Sequence, residues 1–118
     1  MIIMTTPLDK DGELLHRLKR DGVNFSKPHF IEFNVDFWQW PPPHEAIDIL
    51  QGKYGLVKIF EPGQLNDMQE GYLSLKMRAK LTYEFVTNMQ REISECVIPF
   101  GGYCDSWAVL QKRAEYET

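Results

Sequence analysis

The residue types that most often bind metals or attack substrates are present in this sequence, but they are scattered. They are His16, His29, His44, Cys96 and Cys104. A metal site needs ligands that converge at characteristic spacings, such as CxxC or HxxxH, and no such pair occurs here. The spacing therefore predicts no metal site. We expect surface or half-buried imidazoles and buried free thiols, with a Cys96–Cys104 disulfide as the less favoured alternative.

The run Cys104-Asp105-Ser106 brings two possible nucleophiles next to a carboxylate. Adjacent residues of a strand point to opposite faces of a sheet, so Asp105 cannot simply serve either neighbour as a base. A glycine-flanked nucleophile elbow is absent from the sequence, and Gly101-Gly102 is more typical of a helix stop than of a phosphate-binding loop. The sequence therefore predicts no catalytic residue, no cofactor and no enzymatic activity.

Two alternating segments give the strongest structural signal. In residues 31–37 and 73–81 the odd positions are apolar, and the even positions are acidic or amide in the first segment and serine or basic in the second. A period of two indicates strands with one buried and one wet face. If these strands pair, opposite charges face each other across the ladder, each pair contributing about 0.2–1 kcal/mol. The charged residues are Glu32 and Asp36 on the first strand and Lys76, Arg78 and Lys80 on the second.

The two segments belong to a longer series of predicted elements. The series is a helix from about Thr6-Pro7 to Asp21-Gly22, a strand at 28–37, a helix at 42–51 ended by Gly52, strands at 55–60 and 72–81, a helix from the cap Thr82 to Val97, and a strand at 103–110. This order predicts an α+β, ferredoxin-like βαββαβ sandwich with an additional N-terminal helix and a four-stranded antiparallel sheet. Right-handed crossovers place the first and third strands in the middle.

Length and composition set broad limits on the class of protein. We expect residues 1–118 to form a single domain, with 1–5 and 112–118 loose and a polar loop at 64–71 anchored by Leu65 and Met68. The net charge of −4 and the pI near 5.3 argue against a general nucleic-acid binder. No apolar run approaches the length of a membrane span, and the N-terminus does not resemble a signal peptide. A cytoplasmic protein without membrane contact is predicted.

The exposed face of the predicted sheet differs from that of RNA-recognition domains, which share this topology. Those domains place aromatic side chains on the exposed face of the central strands so that bases can stack on them. The exposed positions here are mostly charged, and Tyr72 is the only nearby aromatic residue of that parity. A solvated, salt-bridged face is therefore favoured, and no direct contact with nucleic acid is expected.

Tryptophan residues are the better candidates for recognition. Trp38 and Trp40 share strand parity beside the run Pro41-Pro42-Pro43, and Trp107 lies on the last strand. Tryptophan is enriched in binding hot spots, although large aromatic residues also close the ends of small sandwiches. For Trp107 a core or half-buried position is favoured over a direct contact. Glu32 and Asp36 are candidates to dock a basic partner, with internal pairing as the simpler alternative. The hypothetical partner-binding set is Trp38, Trp40, Glu32, Asp36, Asp105 and Trp107.

Three segments resemble a known family. They are 11–18 in the leading helix (DGELLHRL), 30–33 in the first strand (FIEF) and 101–107 near the end (GGYCDSW). They resemble the regulator of ribonuclease E activity B (RraB-like) family, whose members end in Gly-Gly, a short spacer and a Tyr-Asp-Gly-Trp-like motif. Cys104 replaces the usual Tyr and Ser106 the usual Gly. The resemblance implies a ferredoxin-like sandwich without catalytic activity that binds the scaffold region of ribonuclease E and modulates RNA turnover.

The residues alone leave two other classes of function open. Small acidic α+β domains also act as immunity or antitoxin-like proteins, because negative potential speeds docking onto a basic toxin. Dimeric ferredoxin-like enzymes and small-ligand binders form the third class, in which two open sheets enclose an apolar cavity. The charged pattern of the exposed face argues against that class.

Overall fold

The computed structural model describes residues 9–63 and 70–110. Within these ranges the chain forms α1 Lys10–Arg20, β1 Pro28–Phe37, α2 His44–Tyr54, β2 Val57–Phe60, β3 Tyr72–Lys80, α3 Tyr83–Val97, a short 3₁₀ helix Ile98–Phe100 and β4 Gly102–Leu110. The strands form a four-stranded antiparallel sheet in the order β2-β3-β1-β4. This confirms the predicted α+β fold, with the two alternating strands side by side in the centre.

One face of the sheet packs into the core together with the helices. Along β1 the odd residues from Ile31 to Phe37 are buried, while the even residues 32, 34 and 36 are half-buried. Strand residues such as Phe33 share a single hydrophobic cluster with helix residues such as Leu50 and Val86. The period of two therefore arises because alternate side chains enter this core.

The other face of the sheet is called the open face below. Register places these side chains on it: Phe30, Glu32, Asn34 and Asp36 of β1; Tyr72, Ser74, Lys76, Arg78 and Lys80 of β3; Lys58 and Phe60 of β2; and Tyr103, Ser106, Ala108 and Leu110 of β4. One end of the open face, at Phe30 and Arg78, is basic. The other end, at Asp36, is acidic.

Helix starts follow capping chemistry, with one difference from the sequence prediction. Asp9 caps α1, because its Oδ1 accepts a hydrogen bond of 2.8 Å from the backbone N–H of Gly12. A carboxylate here also complements the positive end of the helix dipole, so the cap is Asp9 rather than the predicted Thr6. Thr82 caps α3 as predicted, accepting from the Phe85 N–H at 3.0 Å.

The second helix is longer at its C-terminal end than the sequence predicts. It begins at His44, continues through Gly52 and ends at Tyr54, with Gly55 at φ +95° after it. Gly52 costs about 1 kcal/mol in a helix interior relative to alanine but does not break a helix. Tyr54 is held by its hydroxyl, which donates to Glu92 Oε1 at 2.7 Å. Tertiary anchoring of the last turn therefore outweighs the glycine signal.

Some predicted features lie outside the described residues. They are Thr6 and Pro7, the anchors Leu65 and Met68, and the terminal segments 1–5 and 112–118. In the described part of the chain, Cys96 and Cys104 are free thiols, half-buried and buried respectively.

Candidate functional site

The closing motif is built into the core around Asp11. Trp107 is only 5% exposed, and its Nε1 donates to Asp11 Oδ1 at 2.9 Å. Gln90 Nε2 of α3 donates to the other oxygen, Asp11 Oδ2, also at 2.9 Å. One carboxylate therefore ties α1, α3 and β4 together. The structure therefore places Trp107 in this internal contact and not on the surface.

Strand β4 is irregular at Cys104 and Asp105. Its register with β1 shifts between Asn34 and Asp36. The Cys104 N–H donates to Ser94 Oγ at 2.8 Å, and the same hydroxyl donates back to the Cys104 carbonyl at 3.2 Å. Asp105 is left exposed, and its backbone carbonyl accepts a hydrogen bond from Lys10 Nζ. The irregularity therefore turns Cys104 inward and Asp105 outward.

Burial makes Cys104 a poor nucleophile. Desolvation raises the pKa of its thiol to about 12, against a smaller lowering by a hydrogen bond from the Ser106 backbone. The thiolate is the reactive form of cysteine, so this side chain stays protonated at neutral pH. Among the described residues, no group of three or more histidine, cysteine or acidic side chains is placed to hold a metal ion.

Trp38 is the most prominent aromatic side chain on the surface near the end of β1. It is 70% exposed, and its ring lies against Tyr103 with the ring centroids 4.9 Å apart. Its backbone N–H donates to the Gly101 carbonyl at 3.0 Å, which fixes the chain just beyond the strand. The indole therefore packs against Tyr103 on one side while most of its surface remains accessible.

Carboxylates surround this aromatic pair. Burial is the main cause that raises the pKa of Asp36, followed by the negative charges of Asp105 and Glu70. The pKa of Tyr103 is also raised, first by burial and then by the same three carboxylates. In ranges 9–63 and 70–110 no ion pair within 4.0 Å neutralises Asp36 or Asp105. We call Trp38, Tyr103, Asp36, Asp105 and Glu70 the Trp38 surface.

Trp40 has a different environment from Trp38. It is half-buried, its Nε1 donates to Glu61 Oε1 at 3.1 Å, and its ring packs edge-on against Phe37 with centroids 6.5 Å apart. A Cβ atom at Gly71 would lie 2.4 Å from Trp40 Cε2. The ring thus fills the space beside Gly71 and closes the end of the sandwich, which is the structural alternative that the sequence left open for these tryptophans.

The predicted salt bridges across the open face do not form. Glu32 lies opposite Lys76 in the register, as predicted, but its Oε2 accepts the Ser74 hydroxyl at 2.7 Å. No ion pair within 4.0 Å joins Glu32 or Asp36 to a cation of β3 in the part of the chain described. Lys76 and Arg78 instead lie over the ring of Phe30. Phe30 and Phe60 share this face with Tyr72, so the prediction that Tyr72 is the only aromatic residue there was wrong.

Fold and surface together define a small α+β protein with an accessible aromatic and acidic surface, the kind of feature that serves recognition. Residues 8–109 match the family described as RraB, regulator of ribonuclease activity B. The match covers most of the chain, so this protein belongs to the RraB family, and the resemblance seen in the sequence is confirmed. Among the curated proteins, no match was found.

Membership in a family of ribonuclease regulators supports a regulatory, protein-binding role. In the described residues, none of the helices has the length and apolar character required to cross a membrane.

Proposed function

We propose that this protein is a cytoplasmic, non-enzymatic regulator that lowers the activity of a ribonuclease, ribonuclease E in the first instance, by direct protein contact. The family match carries the regulatory part of this proposal. The contact part is supported by Trp38, because a large indole that is 70% exposed yet held by Tyr103 is preorganised for binding.

The charge of the Trp38 surface indicates the chemistry of the ribonuclease segment that it would contact. Asp36, Asp105 and Glu70 lie close enough to influence one another or the same tyrosine. Opposite potentials across an interface speed association and select among partners. We therefore propose that the contacting segment of the ribonuclease is basic, with an arginine or lysine packed on the indole of Trp38.

The roles proposed for the other candidate residues follow from their surroundings. Trp40 and Trp107 support the structure, since each indole N–H is already bonded to a carboxylate within the chain. Glu32 accepts a hydrogen bond from Ser74. It lies farther from Trp38 along β1 than Asp36 does. The proposed contact residues are therefore Trp38, Asp36 and Asp105.

A cleavage assay with a matched variant tests the proposal. Purified ribonuclease E cleaves a labelled RNA in the presence of increasing native protein, Trp38→Ala or Leu56→Ala. Leu56 is an 86% exposed apolar residue outside the Trp38 surface, so it controls for loss of exposed apolar area. We expect the native protein and Leu56→Ala to slow cleavage equally.

Trp38→Ala should require a concentration about 10–30-fold higher, because losing a hot-spot side chain costs about 2 kcal/mol. A native protein that leaves the cleavage rate unchanged at every concentration would contradict the regulatory role. Equal potency of the two variants would instead contradict the assignment of the surface.

A further inference from the structure

The basic end of the open face has a chemistry that the Trp38 surface does not share. Phe30 is 40% exposed, with Lys76 Nζ 5.8 Å and Arg78 Cζ 5.9 Å from the centroid of its ring. Register places Phe30 directly beside Arg78 on β3 and Leu110 on β4. An accessible aromatic ring on a central strand thus lies beside two cations of the neighbouring strand.

The cations of β3 form a row that makes no ion pair within the described residues. Lys76, Arg78 and Lys80 are all exposed, and they point to one face because they alternate along a strand. No carboxylate within 4.0 Å forms an ion pair with any of them in residues 9–63 and 70–110. The spacing between successive cations is about 7 Å. A row of this kind can follow a chain of phosphates.

A cavity of about 500 Å³ opens beside Phe30 at the same end of the face. Its lining includes Phe30, Arg78, Val23 and Leu110, and also Asn24 and His29. The volume is within the range of small-ligand sites, which is ample for one nucleobase. Asp21 lies on its rim and is the acidic residue that a phosphate there would have to avoid.

A second aromatic pair lies at the other end of the open face, where Tyr72 is opposite Asp36 in the register. Phe60 and Tyr72 are stacked with their ring centroids 4.7 Å apart, and Lys58 Nζ lies 4.9 Å from the Phe60 centroid. Both rings are half-buried on the open face, opposite each other on β2 and β3. Aromatic rings beside cations are the pattern by which proteins bind single strands, and at the basic end Phe30 forms this pattern with Lys76 and Arg78.

We propose that the basic end of the open face binds single-stranded RNA. A base stacks on Phe30 in the adjoining cavity, and the phosphates of the strand contact Lys76, Arg78 and Lys80. RNA is the strand considered because the family regulates enzymes that cut RNA. The proposal goes beyond the protein contact at Trp38 and does not depend on it.

The acidic balance of the whole chain limits the strength of this binding. The net charge of −4 repels a polyanion at long range, so we expect binding in the micromolar range that weakens as salt increases. Attraction is local, because Glu32 is engaged by Ser74, and Asp105 and Glu70 lie near Asp36 at the other end. Asp21, beside the cavity, opposes it.

Fluorescence anisotropy of a short fluorescein-labelled oligouridylate, titrated with protein alone, tests the site. The variant Lys76→Glu/Arg78→Glu is compared with Lys53→Glu/Arg91→Glu, which makes the same charge change at exposed positions on α2 and α3. We expect the first variant to lose at least about tenfold in affinity and the control less than about twofold. The salt slope should become shallower by about 1.4, since each single-strand phosphate contact contributes about 0.7.

The stacking contact has its own test. Phe30→Ala should weaken binding by about fivefold or more, and Phe30→Tyr should restore it, because the ring carries the interaction. Thermal unfolding followed by circular dichroism verifies that each variant is folded. Absence of binding at about 50 mM salt would overturn the proposal, as would equal losses in the two double variants or tighter binding of the matching DNA.

Self-association through the open face would be detected by sedimentation. Sedimentation that shows a dimer broken by Lys76→Glu/Arg78→Glu, with flat anisotropy, would assign the face to self-association and overturn RNA binding. No ribonuclease is present in these measurements. A negative result would therefore leave the regulatory proposal intact, and a failed cleavage assay would leave this one intact.

Discussion

At the scale of single residues, the three tryptophans have different roles that are set by their surroundings. Trp38 is 70% exposed, Trp40 is half-buried against Gly71, and Trp107 is 5% exposed and bonded to Asp11. The sequence identified all three as candidates for recognition and favoured a core or half-buried position for Trp107. It could not separate Trp38 from Trp40, because exposure depends on what covers each ring.

These environments predict opposite effects of the same substitution. Trp107→Ala should lower the free energy of unfolding by about 3–5 kcal/mol, because it leaves a cavity and removes the donor to Asp11. Trp38→Ala should change it by less than about 1 kcal/mol, since little of the ring is buried. Urea unfolding measures both. A large loss for Trp38→Ala would make it a core residue and remove the basis for the docking surface.

The buried thiol of Cys104 predicts a dependence of stability on pH. Its pKa rises from an unfolded value near 9.0 to about 12, so the native state favours the protonated thiol. The resulting stability is fully present below pH 9 and is lost as the pH rises toward 12. Cys104→Ala should therefore remove a decline of about 1.4 kcal/mol per pH unit in that window. Parallel unfolding curves for the two proteins between pH 9 and 11 would contradict the assignment.

At the scale of elements, period and capping predicted most of the fold. The alternation in β1 and β3 predicted both strands and their central pairing, and Thr82 predicted the start of α3. The irregularity in β4 was not predicted, because nothing local in the sequence shows that Ser94, on another element, bonds the Cys104 backbone. For the same reason the prediction of salt bridges across the open face was wrong. Pairing register alone does not determine whether Glu32 selects Lys76 or Ser74.

The contact between α3 and β4 can be tested at Ser94. Ser94→Ala removes the group that bonds both the N–H and the carbonyl of Cys104. An unpaired, largely buried backbone group costs about 1–3 kcal/mol, so we expect a loss of this size and faster amide exchange at Cys104. Ser106→Ala is the control on the same strand, since its hydroxyl accepts only a long bond of 3.4 Å from Asn34. Equal effects at the two serines would show that the irregularity in β4 does not depend on α3.

At the scale of the whole molecule, the open face separates two kinds of chemistry. From Phe30 to Asp36 the strand extends about 20 Å, with cations at one end and carboxylates at the other. Neither group forms an ion pair with residues in 9–63 or 70–110. This distance along the strand is more than a Debye length at physiological salt. Substituting residues at one end should therefore have little electrostatic effect on binding at the other end.

The separation predicts that the two proposed binding activities can be lost independently. Trp38→Ala should weaken direct binding to ribonuclease E, measured by surface plasmon resonance without RNA, while its affinity for oligouridylate stays within about twofold of the native value. Lys76→Glu/Arg78→Glu should show the reverse, because it removes phosphate contacts far from the indole. If either variant instead lost both activities, the two ends would form one continuous site. RNA and the ribonuclease would then compete for the protein, and adding oligouridylate would displace it from the enzyme.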